Sequence, residues 1–264
     1  MKKAIFLDID GTLIDCFNGT TEISPKVKTV IRSLQSKGDY VFIATGRPYA
    51  FLNQAILEFG FDGFILANGA QVIINNKTIY SDYLKKDFLK DLISKLEKNN
   101  IQYILQSDKY SYIKKEFKEL YDFYYKVGIS GSLLKDTYSL EDIDVFKIEM
   151  LCLDEKTSNI CLDLISNNSD YSHVNSIDIK AFELYSSNNT KATGILKALE
   201  YLKVDIKNSY AFGDGKNDIE MLSTVGCGIA MGNACDEVKK YAHKVTESVH
   251  DDGVAVGIKE YVCC

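Results

Sequence analysis

Four short stretches hold residue types that could do chemistry together. FLDIDGTL (6–13) ends an apolar run in Asp8 and sets Asp10 two residues later, before Gly11 and Thr12. Two carboxylates a few Å apart repel by about 4 kcal/mol at an effective dielectric of about 20, so such a pair persists only where something offsets the repulsion. YVFIATGR (40–47) ends a second apolar run in Thr45, Gly46 and Arg47. NNTKATGIL (188–196) places Lys191 where a helical pattern opens, and YAFGDGKND (210–218) delivers Asp214, Asn217 and Asp218. Asp8, Asp10, Asp214 and Asp218 together carry a charge of about -4 when ionised, and a hard divalent cation with oxygen ligands, Mg²⁺ foremost, is the natural remedy. A carboxylate attacks an anionic phosphate poorly until that charge is neutralised. The Thr45 hydroxyl, nearby backbone N–H groups, Lys191 and the cation would supply the neutralisation.

These residues need a scaffold that brings them together. KAIFLDI (3–9) reads as a strand buried on both faces. A helix follows, with Ser24 as N-cap, Pro25 in its first turn, Val27, Val30, Ile31 and Leu34 on one face, and Gly38 as its stop. YVFIAT (40–45) is the next strand, a helix opening at Pro48 carries Phe51 to Phe59, and GFILAN (63–68) is a third strand. Strands alternating with helices of this length imply a parallel sheet with right-handed crossovers. The pattern breaks at QVIINNKTIYSDYL (71–84), a hairpin turning near Asn75 and Asn76, and returns with a helix at 191–203 and strands at 209–215 and 226–233. Further helices near 218–224, 234–242 and from Val254, and a strand at 244–248, complete that part. The intervening segment has helices at 85–100 and 156–167 and strands at 101–107, 145–154 and 181–187. The fold class is α/β: a doubly wound parallel-sheet, Rossmann-like core of residues 1–81 and 187–264, with an inserted α/β domain at 82–186. In such open sheets ligands bind at the carboxyl ends of the strands, where Asp8, Thr45, Asn68 and Asp214 all fall.

Composition narrows the partners. The 264 residues are 46% hydrophobic and 26% charged, ordinary for a globular protein. A net charge of -6 without a Lys/Arg block argues against nucleic acid and against an anionic membrane surface. No apolar run approaches the ~18 residues of a membrane span, and Asp8 and Asp10 interrupt the apolar start too early for a signal peptide. The reading is a cytoplasmic protein, monomer or homodimer. Seven scattered cysteines without a C-x-x-C pair, beside three histidines, argue against zinc and for small buried hydrophobes. Cys16 is read as packing, and the Tyr-rich YDFYYKVG (121–128) as a packed core or dimer face ahead of a substrate pocket.

Taken singly, each motif has a plain reading: D-x-D and GDG as turns, TGR as a turn with a solvated Arg, Lys191 as a surface lysine at a helix start that the dipole disfavours. Four in one order, each after a strand or opening a helix, resemble the haloacid dehalogenase superfamily. DIDGT (8–12) resembles its first motif, Thr45 in TGR its second, Lys191 its third and GDGKND (213–218) its fourth. ANGA (67–70), DDGVA (251–255) and the long insertion resemble its Cof-type subfamily, phosphatases with a large α/β cap. The resemblance implies that Asp8 is a nucleophile forming an aspartyl-phosphate and that Asp10 is the acid and then the base. It implies Mg²⁺ on Asp8, the Asp10 carbonyl and Asp214, with Asp218 as a ligand or behind one. Thr45 and Gly46 would bind the phosphoryl group with Lys191 and Asn217 beside them, and Arg47 and Asn68 would face the substrate or the cap. The implied partner is a small phosphorylated metabolite, sugar phosphates first, then flavin mononucleotide or pyridoxal phosphate. A phosphosugar mutase and a non-catalytic phosphometabolite-binding regulator are the alternatives. Intact Asp8, Asp10, Lys191 and Asp214 argue against the regulator.

Overall fold

The computed structural model describes residues 2–126, 129, 131–166, 168–175 and 181–263. Val127 and Gly128 of the Tyr-rich segment, and Cys264, lie outside the described residues. The chain divides into two compact units, one of residues 1–46, 54–80 and 190–264, the other of Arg47–Asn53 and Ser81–Asn189. The segment Arg47–Asn53 thus packs with the second unit, which the division at 82–186 did not include.

In the first unit, strands β1 (Ala4–Leu7), β2 (Tyr40–Ala44), β3 (Gly63–Leu66), β4 (Gln71–Ile74) and β5 (Lys77–Ser81) come from the first part of the chain. After the second unit's strands β6 (Gln102–Ser107), β7 (Ser111–Ile113), β8 (Leu134–Lys135), β9 (Val145–Leu151), β10 (Tyr171–Asn175) and β11 (Ala181–Ser186), the chain returns with β12 (Ser209–Gly213), β13 (Cys227–Ala230) and β14 (Lys244–Val245). Among the described residues the first unit's sheet has eight strands in the order β14-β13-β12-β1-β2-β3-β4-β5. β1 pairs in parallel with β2 on one side and β12 on the other, Leu7 opposite both Ile43 and Phe212. The chain winds outward from β1 in both directions, so the carboxyl end of β1 is a switch point.

Helices α1 (Pro25–Ser36), α2 (Gln54–Glu58), α3 (Lys86–Lys98), α4 (Lys118–Lys126), α5 (Glu155–Ile165), α6 (Lys191–Leu202) and α7 (Ile219–Thr224) follow in chain order. Ser24 caps α1, its side chain accepting from the Val27 N–H, and Gly38 at φ 85° ends the turn beyond it. Ile195 and Leu199 of α6 pack with Phe6, Phe42 and Ile65 of the sheet and Met221 and Leu222 of α7 in one buried cluster. The helix expected from Pro48 is broken. Pro48 precedes a 3-10 turn at Tyr49–Phe51, and Leu52 is extended at φ -78° and ψ 131°, so α2 begins only at Gln54. Strand β1 also stops at Leu7, two residues before the apolar run ends, because the chain turns away there.

The second unit carries a sheet ordered β10-β11-β9-β6-β7-β8 among the described residues. Alternation along β9 divides its faces: Ile148 and Met150 join a core with Leu89, Leu92 and Leu96 of α3 and Cys161 and Ile165 of α5. Lys147 and Glu149 fall on the opposite face. Both are buried, and Lys147 Nζ meets Glu183 Oε2 of β11 at 2.8 Å. Tyr124 of α4 is buried against Phe51, ring centroids 4.9 Å apart, while Tyr125 is exposed, so the Tyr-rich helix is split between packing and solvent. Of the cysteines, Cys152 and Cys161 are buried, Cys227 is half-buried, and Cys16, Cys235 and Cys263 are exposed. Cys16 is not core packing: it sits on a 3-10 turn inside the loop that Asp15 and Thr20 close with paired backbone hydrogen bonds.

Candidate active site

The site is assembled on four strand ends of the first unit. Asp8 follows β1, Thr45 follows β2, Asn68 lies two residues beyond β3, and Asp214 follows β12. The Asp8 N–H still donates to the Phe212 carbonyl at 3.1 Å, so Asp8 is anchored to the sheet as the chain leaves it. Thr45 is likewise tied down, its N–H donating to Ile65 at 2.9 Å and its carbonyl accepting from the Asn68 N–H at 3.1 Å. Asn68 sits in a tight reversal in which Ala67, Asn68 and Gly69 have φ of 49°, 54° and 95°. Left-handed backbone at a non-glycine residue costs about 1–2 kcal/mol, and the reversal sends β4 back antiparallel to β3.

Gly69 has a second role. A Cβ there would lie 2.0 Å from the Thr190 carbonyl oxygen, so only glycine lets the N-terminus of α6 approach. Thr190 and Thr193 close that terminus reciprocally, each side chain accepting from the other's backbone N–H at 3.2 and 3.0 Å. Lys191, the first residue of α6, is thereby delivered into the interior, 1% exposed. Its Nζ donates to Asp8 Oδ1 at 2.6 Å and to Asp218 Oδ1 at 2.7 Å. The reading of Lys191 as a surface lysine is therefore excluded.

Asp214 and Asp218 are held by their own loop. Asp218 Oδ2 accepts from the N–H groups of Asp214 at 3.0 Å and Gly215 at 2.9 Å, so both oxygens of this fully buried carboxylate have protein donors. Asp214 Oδ1 accepts from the Thr12 hydroxyl at 3.1 Å. Gly11, at φ 78°, packs so closely that a Cβ would stand 2.1 Å from Asp214 Oδ2. Asn217 Nδ2 donates to Asn68 Oδ1 at 3.3 Å, and Gly46 lies against the same oxygen, 3.0 Å from where its Cβ would be.

Oxygens of Asp8, Asp214 and Asp218 lie within 4.8 Å of one another. Asp10 is not in that cluster. Its side chain is exposed, because β1 has ended and the alternation that would put it on Asp8's face no longer applies. Arg47 packs with the second unit, where its Nη1 donates to the Phe51 carbonyl at 3.1 Å.

Burial governs the electrostatics. It raises the Asp8 carboxyl well above its ordinary range; the Lys191 ammonium opposes this and the Asp218 charge adds to it. Burial, then the Asp218 charge, pushes Asp214 up to about 6 against the Thr12 hydrogen bond. Burial works against the Lys191 ammonium, but Asp218 and Asp8 outweigh it, so the amine stays protonated. Three carboxylates and one ammonium leave a charge of about -2 when all are ionised. An all-oxygen donor set with that residual charge fits a small hard divalent cation. The sequence assigns Thr12 and Gly11 no role beyond their place in the DIDGT motif. The signal for both was their place beside Asp10, and only the fold shows that their partner is Asp214.

Known proteins are similar to this chain over nearly its whole length. Residues 5–258 match the family model described as haloacid dehalogenase-like hydrolase. YkrA, a candidate phosphatase of Bacillus subtilis (strain 168), is 31% identical over 98% of this chain and 97% of its own. The 5-amino-6-(5-phospho-D-ribitylamino)uracil phosphatase YitU of the same organism is 32% identical over 97% of this chain and 96% of its own. Among solved structures, the HAD subclass IIB sugar phosphatase BT4131 superposes with a TM-score of 0.79 at 26% identity, covering 98% of this chain and 99% of its own.

Proposed function

The chain belongs to the haloacid dehalogenase-like hydrolases, of the Cof type, and is a phosphatase; on that premise we propose that it hydrolyses small phosphomonoesters through an aspartyl-phosphate on Asp8. The observation that carries the reading is the Lys191 ammonium set between Asp8 and Asp218 in the interior, with Asp214 in the same cluster. Lys191 holds Oδ1 of Asp8 and so orients the carboxylate toward an incoming phosphorus. Asp8 attacks phosphorus, the bond to the leaving oxygen breaks, and the Asp10 carboxyl gives that oxygen its proton. Asp10 then takes a proton from water as the water attacks phosphorus, releasing phosphate and restoring Asp8. Thr45, Gly46 and Asn217 line the phosphoryl position, Lys191 adds positive charge beside it, and Asn68 positions Asn217.

Mg²⁺ suits the donor set. Asp8, Asp214 and the Asp10 carbonyl would hold it, and Asp218, with both oxygens engaged by Lys191 and two N–H groups, would orient its neighbours rather than ligate. Bound there, the ion would supply positive charge to offset that of the phosphate. The names of the relatives, a phosphoribitylaminouracil phosphatase and a sugar phosphatase, favour a hydroxyl-rich organic group. Among the described residues no helix is long and apolar enough to cross a membrane.

The test is phosphate release from p-nitrophenyl phosphate and a panel of sugar and sugar-alcohol phosphates, with Mg²⁺ and with EDTA. Turnover with the metal only is the expected result. Asp8→Asn should abolish it, by about 10³-fold or more, in a protein with unchanged circular dichroism. Full activity in that variant would exclude Asp8 as the nucleophile. Transfer of phosphate from hexose 1-phosphate to the 6-position would favour the mutase instead.

A further inference from the structure

We propose that Asn233 is a positioning residue for the Asp10–Thr12 turn, an inference that rests on the phosphatase reading above. Asn233 stands three residues beyond β13, in a turn where Gly232 donates to the Glu247 carbonyl at 3.0 Å and Ala234 donates to Met231 at 3.0 Å. Its side chain makes two bonds in opposite directions. Nδ2 donates to the Gly11 carbonyl at 2.8 Å, and Oδ1 accepts from the Val249 N–H at 2.9 Å. An amide donates from its nitrogen and accepts at its oxygen, so one Asn side chain can hold both partners.

The turn it grips is compact on its other side. The N–H groups of Leu13 and Ile14 converge on the Ile9 carbonyl at 2.9 and 3.0 Å, and the Gly11 N–H reaches Ile14 at 2.7 Å. The Gly11 carbonyl is left to face outward, to Asn233. The peptide so fixed joins Gly11 to Thr12, directly after Asp10. Gly11, at φ 78°, resists torsion less than any other residue would, so an external hold matters most there. Further along, His250 Nε2 meets Asp15 Oδ2 at 3.2 Å, a contact outside the Asp10–Thr12 turn.

A loosened turn misplaces the Asp10 carboxyl, and what Asp10 supplies to the first half-reaction is a proton for the leaving oxygen. That proton matters little to a good leaving group and much to a poor one. The experiment compares kcat/KM for p-nitrophenyl phosphate and phenyl phosphate in the wild type, Asn233→Ala, Asn233→Asp and His250→Ala, with amide hydrogen exchange on the same proteins. Both Asn233 variants should lose about 10-fold more on phenyl phosphate than on the nitrophenyl ester. His250→Ala should leave that ratio unchanged. Val249 N–H exchange should speed up in Asn233→Ala and stay slow in Asn233→Asp, which keeps the acceptor. Equal losses on both esters, or no loss, would overturn the proposal, as would an unchanged Val249 exchange rate in Asn233→Ala. A wild type inert toward both esters would instead defeat the phosphatase reading, and the exchange rates would still decide whether Asn233 holds the turn.

Discussion

Replacing Lys191 with Met removes an ammonium that two interior carboxylates share, and leaves Asp8 and Asp218 without their counter-charge. Breaking a buried pair of this kind costs about 3–5 kcal/mol, so Lys191→Met should unfold at a clearly lower temperature in calorimetry. Adding Asp218→Asn should recover part of that loss without restoring turnover. Gly11→Ala is the complementary case. Its Cβ would meet Asp214 Oδ2 at 2.1 Å and its φ of 78° is unsuited to alanine. Turnover should fall by about 10²-fold or more and higher Mg²⁺ should be needed for half-maximal rate, which a metal titration of phosphate release would read. At this scale the residue types were legible: DIDGT, TGR, Lys191 and GDGKND supply Asp8, Thr45, Lys191 and Asp214, which the fold brings to one sheet end. What was illegible was pairing. Nothing in the sequence says that Thr12 bonds Asp214, or that both oxygens of Asp218 are engaged, because those partners are 202 and 27 residues away or arise from a turn.

Elements carry the residues only as far as their ends. The apolar runs at 3–9 and 63–68 marked two strands correctly, yet the strands stop at Leu7 and Leu66. Hydrophobicity reports burial, and the turns beyond both strands are buried too. In the second unit, β9 has a polar face with a titratable group in it. Burial, reinforced by the Glu183 charge, raises Glu149 to about 7. Its folded value lies above its unfolded one, so the fold holds the proton more tightly than the open chain does. That stabilisation is full below about 4.5 and is lost as pH rises through about 7. Glu149→Gln should therefore unfold at about the same temperature as the wild type at pH 4.5 and be the more stable protein at pH 8, by up to about 3 kcal/mol. Thermal melts across that range check it; a difference that does not grow with pH would contradict it.

For the whole molecule, the switch point at β1 gathers residues from the first twelve positions, from 45–68 and from 191–218 onto one sheet end. When all its carboxylates are ionised the cluster carries about -2, a charge that would destabilise the fold and that a bound cation would offset. Mg²⁺ should raise the unfolding temperature, by an amount corresponding to about 2.7 kcal/mol at a hundredfold excess over its dissociation constant. EDTA should reverse the rise and Asp214→Asn should blunt it, all readable without any substrate.

The sequence alone determined that a doubly wound sheet carries these residue types at its strand ends, because strand and helix periodicity and turn chemistry are local and survive in a linear string. Tertiary structure decided the rest. It buried Lys191 between two carboxylates through the close approach of Gly69 to Thr190, exposed Asp10 while Asp8 stayed buried, and put Arg47–Asn53 with the second unit. These outcomes depend on desolvation and on contacts between distant segments, and both exist only once the chain has packed.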